Sequence, residues 1–199
     1  MNQDNGMPLL VKPKTGDERF QYNGAALDSS VLDFWRWSTS DLLSNATRGR
    51  LGEFIVAMSL GLAHGVRNEW DPYDLETQNG VKLEVKTSAY LQAWRQERPS
   101  KIIFGIAPTY RWDDATAKYD ATQMRQADVY VFCLLAHTDQ ATVDPLDLDQ
   151  WRFWVLPTQV LNEKAPTQKS ITLSTLERLG ATKSSFGDLA HVIDAAYQG

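Results

Sequence analysis

The chain has 199 residues, 43% hydrophobic and 23% charged, the composition of one soluble globular domain able to bury its own core. A lone cysteine, Cys133, excludes an intrachain disulfide, and with His64, His137 and His191 scattered it cannot make a zinc knuckle. The net charge of −5 argues against a uniformly basic nucleic-acid-binding surface, but the charge is unevenly spread: Lys82 to Arg111 holds six basic residues against two acidic, and Asp139 to Gly199 eight acidic against five basic. The longest apolar run, Phe54 to Ala63, is far short of the about 20 residues of a membrane helix. No charged-then-apolar leader opens the chain, so the expected location is the cytoplasm.

Residues 1–38 read as an N-terminal arm, extended up to about Asn23, because Gly6, Pro8, Pro13 and Gly16 break any pattern. Leu32, Phe34, Trp35 and Trp37 are expected to dock as a short core segment, the alternative for the tryptophans being a base-stacking platform. From residue 39 to 199 a single domain is expected, with its core in 40–136 and a C-terminal extension in 137–199. The first long helix is predicted from Ser40 to Ala63, capped by Ser40 and closed by His64-Gly65. Its second half is apolar nearly all round except for Glu53, which needs a partner: Arg50 or Arg48 nearby, or a polar site.

The stretch from Trp70 to Trp94 reads as strand, turn, strand. Val81, Leu83 and Val85 alternate with Lys82, Glu84 and Lys86, so Glu84 and Lys86 share a face opposite to the apolar residues. A two-residue Asn79-Gly80 loop would put Asp74 on the face away from Glu84. A three-residue loop, Gln78-Asn79-Gly80 with Gly80 left-handed, pairs Thr77 with Val81 and sets Asp74 opposite Glu84. The second register gathers two carboxylates and an ammonium on one surface, which suits a hard divalent cation such as Mg²⁺; it is the register predicted.

Asp74, nine residues, then Glu84-Val85-Lys86 on the next strand resembles the motif of the PD-(D/E)XK nuclease superfamily, with Pro72 one residue further from the aspartate than the motif's name has it. The resemblance implies the restriction-endonuclease-like fold, an α/β (α+β) architecture whose αβββαβ core carries a mixed central sheet flanked by helices. It implies Asp74 and Glu84 as ligands of Mg²⁺ or Mn²⁺, with the Val85 carbonyl, and Lys86 as the group that orients water and stabilises charge on the phosphate. Glu53 matches, in type and chain order, the acid that such nucleases carry on the preceding helix. The implied activity is metal-dependent hydrolysis of DNA, in restriction or phage defence, by a homodimer with or without a separate helicase or recognition subunit. A non-cutting DNA-binding module of the same fold and a structure-specific DNA or RNA repair nuclease are the alternatives.

Beyond Lys86, continued strand parity would bring Ser88, Tyr90 and Gln92 toward the same surface, with Arg95 in the basic flank, as nucleic-acid contacts. Lys101–Ala107 reads as a third strand, Ala115–Arg125 as a short helix, and the apolar run Asp128–Ala136 as a strand buried on both faces. A strand at Trp151–Leu156, a short helix from Thr158 to Glu163, a brief strand at Ile171–Leu173 and helices at Ser174–Leu179 and Phe186–Tyr197 complete the prediction.

Overall fold

A computed structural model describes residues 11–69, 71–110, 112, 113 and 118–198. The described chain divides into two compact units: one holds the residues up to Ser40 with His64–Asn68, the other Asp41–Ala63 and the residues from Glu69 onward.

The first unit is more regular than the arm the sequence suggested. Strands β1 (Arg19–Tyr22) and β2 (Ala25–Ser30) form an antiparallel hairpin, and α1 (Val31–Thr39) follows. The hairpin turns on Asn23-Gly24, both with positive φ, the conformation a two-residue hairpin loop requires. A reciprocal capping box starts α1: Asp33 N–H donates to Ser30 Oγ at 3.3 Å and Ser30 N–H to Asp33 Oδ2 at 2.8 Å. The core docking expected of the tryptophans is not seen; no residue of α1 is buried and Trp37 is 85% exposed.

In the second unit α2 spans Asn45–Ser59. It starts later than expected because Asp41 closes a separate turn, accepting from the backbone N–H of Leu43 and Ser44. It ends earlier because Gly61, at φ +68, supplies the left-handed residue that stops a helix. Strands β3 (Leu75–Glu76), β4 (Lys82–Ala89), β8 (Val129–Leu135), β9 (Trp151–Pro157) and β11 (Thr182–Ser184) make a five-stranded sheet in the order β11-β9-β8-β4-β3. β4 and β8 run parallel, and the other neighbours antiparallel. The mixed α+β class with a helix-flanked central sheet is therefore as expected.

Two details of the expected αβββαβ order differ. Strand β5 (Ile103–Gly105) leaves the central sheet and pairs with β10 (Ser170–Thr172), so the inner neighbour of β4 is β8. The helix expected at Ala115–Arg125 is absent from the described part of that segment, 114–117 lying outside the described residues. There β6 (Trp112–Asp113) pairs with β7 (Lys118–Tyr119), and Thr109 bridges Met124. The cause is tertiary: Arg125 is buried and donates to Ile106 O, Asn162 Oδ1 and Ala165 O at 2.8–2.9 Å, which holds this segment extended beside Ile106. The 3₁₀ turn Leu148–Gln150 and helices α3 (Thr158–Lys164), α4 (Leu173–Arg178) and α5 (Leu189–Gln198) complete the unit.

Alternation on the strands builds two cores. On one face Leu83 and Val85, Val129 to Leu135 at odd positions, and Trp151, Phe153 and Val155 pack against Ile55 and Val56 of α2 and Leu189 and Ile193 of α5. On the other Tyr130, Phe132, Leu134, Trp154 and Leu156 pack against Phe104, Leu161, Ile171 and Leu176. All seven residues of β8 are buried, as a strand covered on both faces requires. No helix among the described residues is long and apolar enough to cross a membrane.

Candidate nuclease site

The β3–β4 connection takes the predicted odd-numbered form. Leu75 pairs with Leu83 and Glu76 with Lys82, and the same register sets Thr77 opposite Val81, whose carbonyl accepts the Thr77 N–H at 2.9 Å. Gln78, Asn79 and Gly80 form the loop, with Gly80 at φ +80, where a side chain would be strained. Regular continuation of that register would set Asp74 opposite Glu84, but the pairing departs from it at Asp74.

At Asp74 the edge strand stops pairing in the regular way. Its N–H donates to Leu83 O at 2.9 Å, and its carboxylate Oδ2 accepts the N–H of Val85 at 2.7 Å. A side chain thus takes the place of the next strand carbonyl. The N–H and C=O of one strand residue leave on the same edge, so the Val85 carbonyl points toward the edge where Asp74 stands. Glu84 and Lys86 lie on the face of Tyr130 and Phe132, their neighbours on β8. The Lys86 ammonium donates to Glu84 Oε1, both side chains being partly exposed.

Burial is the main reason the Asp74 carboxyl is pushed up to about 6, and the Glu84 carboxylate adds to it. The Val85 N–H opposes the shift, Glu53 reinforces it and Lys86 opposes it. Glu53, Glu84 and Lys86 are therefore each within electrostatic reach of Asp74. Of the two arginines near Glu53 in sequence, Arg50 pairs with Glu69 at 3.2 Å, and Arg48 bonds Leu43 O, Asn45 Oδ1 and Gln92 Oε1. Glu53 sits on α2 one residue beyond Gly52, which lies against Thr87 of β4.

Among the described residues no group of three or more His, Cys, Asp or Glu side chains is drawn together as a cation site. The hard-oxygen donors at the edge, two carboxylates and one main-chain carbonyl, still fit Mg²⁺, which binds through one or two carboxylates and keeps several waters. The crowding of negative charge that raises Asp74 is what a divalent cation would relieve.

The predicted nucleic-acid contacts are distributed differently from the parity expectation, because β4 ends at Ala89. Ser88 keeps the parity but is buried beside Leu134. Tyr90 and Gln92 lie past the strand. Gln92 turns its amide inward, donating to Ala89 O at 2.9 Å and Ser100 Oγ at 3.2 Å while accepting from Arg48 at 3.1 Å. Arg95 is exposed. Arg48, 4% exposed, was not singled out as an anchor between α2 and the end of β4; a basic residue on a predicted helix gives no signal of burial until its acceptors are known.

A helix-flanked mixed sheet with two carboxylates and a lysine gathered at one edge is consistent with an α/β nuclease. Residues 26–175, well over half of the chain, match the family model described as bacteriophage T4 endonuclease IV. The chain belongs to that family and is an endonuclease by class. The matched span contains Glu53, Asp74, Glu84 and Lys86. No curated protein matches the chain.

Proposed function

We propose that this DNA endonuclease is of the PD-(D/E)XK type and that its site is the edge of β4. The observation that supports the reading is the three-residue turn between β3 and β4, which brings Asp74 to the edge of β4 with its carboxylate on the Val85 N–H, while Lys86 is bonded to Glu84. Asp74, Glu84 and the Val85 carbonyl would hold Mg²⁺, which when bound polarises a phosphate and lowers the pKa of a water. The chain's own residues do the rest. Asp74 is locked to the backbone of β4 by the Val85 N–H, so its second oxygen has a fixed direction. Lys86, held beside Glu84, carries a positive charge to where negative charge grows on the phosphate during attack. Glu53, on the helix packed against Thr87, adds a third acid that orients water or lysine. Ser88, Tyr90, Gln92 and Arg95 belong to the strand end and loop along which the substrate backbone would pass. A cut through both strands needs two such sites, which a two-fold homodimer supplies. A role in restriction or phage defence, with a helicase or recognition subunit, is the biological setting proposed.

The test is cleavage of supercoiled plasmid and of a single-stranded DNA with Mg²⁺, Mn²⁺ or EDTA. Lys86→Ala should lower the rate about 10²–10³-fold, as loss of one preorganised charge-stabilising group does. Cutting that survives in EDTA, or that is unchanged in Lys86→Ala, would place the chemistry elsewhere.

A further inference from the structure

The strongest unexplained feature lies directly beyond the candidate site, in the loop between β4 and β5. Trp94 is 55% exposed there, and Arg95, Arg98 and Lys101 are exposed beside it. Residues 89–101 hold these three cations against one anion, Glu97, in a chain whose net charge is −5. A single exposed aromatic on a loose loop would need no explanation. This loop is internally built. Ser100 N–H donates to Tyr90 O at 2.9 Å and Gln92 N–H to Gln96 Oε1 at 2.7 Å. The Gln96 amide donates to Tyr90 O at 3.2 Å and Ser100 Oγ at 3.0 Å. Gln92 is held by Arg48, a buried cation whose other hydrogen bonds go to Leu43 O and Asn45 Oδ1. Two glutamines, a serine and an arginine are thus spent on holding a tryptophan and two arginines out into water.

An indole face flanked by guanidinium groups matches the chemistry of a nucleic acid strand, flat bases on a chain of phosphates. Lys86 is three residues before the end of β4, about 10 Å at the rise of a strand, which is about three stacked base steps. We infer that the Tyr90–Ser100 loop is a nucleic-acid grip in which Trp94 stacks on a nucleobase while Arg95 and Arg98 meet the neighbouring phosphates. The inference rests on the nuclease reading and adds Trp94 and Arg98 to its substrate contacts.

The test uses the full chain with a fluorescein-labelled single-stranded 20-mer in EDTA, its affinity followed by anisotropy at several salt concentrations. A second probe has the same sugar-phosphate chain with abasic sites through its centre. Trp94→Ala should weaken binding of the normal strand about 5- to 150-fold, the range of one lost stacking partner, and Trp94→Phe should restore most of it. Neither substitution should change binding of the abasic strand. Arg98→Ala should weaken both probes alike and reduce the salt slope by about 0.7. Trp94→Ala that melts like the wild type and binds the normal strand equally well overturns the inference. If that result comes with cutting that Lys86→Ala abolishes, only the loop assignment falls. If the wild type binds neither probe and cuts nothing, the nuclease reading falls with it.

Discussion

Gly52 is where α2 crosses β4, and it leaves no room for a side chain. A Cβ built there would stand 2.2 Å from Thr87 Oγ1 and 3.4 Å from the Cβ and Cγ2 of the same threonine. Gly52→Ala gains about 1 kcal/mol of helix propensity. Against it stands the clash, which belongs at the upper end of the about 1–3 kcal/mol that overpacking costs, because the obstacle is a short branched side chain fixed on a strand. A net loss of about 2 kcal/mol is expected. Thr87→Ala alone should be within about 1 kcal/mol of the wild type: a methyl is lost, but so is a buried hydroxyl with no hydrogen-bond partner among the described residues. In the double variant the nearest atom to the new methyl is the residue 87 Cβ at 3.4 Å, an acceptable contact. The pair should therefore recover about 2 kcal/mol relative to Gly52→Ala, a coupling well above the additivity error. Urea unfolding followed by far-ultraviolet circular dichroism reads this as a midpoint about 1 M lower for Gly52→Ala, with an unchanged slope, and its return in the double variant. A Gly52→Ala midpoint at or above that of the wild type would refute the packing argument. So would a double variant no more stable than the single one.

Asp74 should make stability, and cation binding at the proposed site, depend on pH in opposite senses. Its folded carboxyl is raised to about 6 from an ordinary value of 3.8, so the folded protein keeps a proton that the unfolded chain releases. The stability this contributes is full below the ordinary value and is lost as pH rises through about 6, an effect of a few kcal/mol at most. Thermal midpoints of the cation-free protein should fall between pH 4 and 7, less so in Asp74→Asn, while Mg²⁺ protection and cleavage should rise through about pH 6. An equal pH slope in the variant would show that Asp74 is not the group responsible. Cys133 is fully buried, which pushes its thiol well above the ordinary range. Its reaction with a thiol reagent should be slow at pH 8 and accelerate with urea in step with unfolding, whereas prompt modification of the native protein would contradict its burial.

The hairpin at the centre of the site was legible because two independent signals agree on its register. Alternation of Val81, Leu83 and Val85 gives the faces, and Gly80 supplies the left-handed residue that a three-residue loop demands. β8 was legible from an apolar run with no polar phase. The first unit was not, since β1 and β2 have no buried face and so no alternation to read, although Asn23-Gly24 is itself a hairpin signal that went unused. The path from Lys118 to Arg125 is fixed by Arg125 reaching acceptors on two other segments, at Ile106 and on α3 with its C-cap, information that no local window contains. The partner of β5 likewise lies on β10, far along the chain, and composition alone gave no reason to remove it from the main sheet.

The two-residue length of β3 bears on solubility as well as on chemistry. Among the described residues no strand pairs with this edge of β4 beyond Leu75, and an unpaired edge invites addition of a strand from another molecule. The Asp74 carboxylate occupies the first free donor, Val85 N–H, and sets a negative charge across the path of an incoming chain. The residue proposed to bind the cation should therefore also hinder strand addition at this edge. Asp74→Ala should scatter light on concentration or mild heating sooner than Lys86→Ala, which leaves the edge closed; equal scattering from the two would deny Asp74 this second duty.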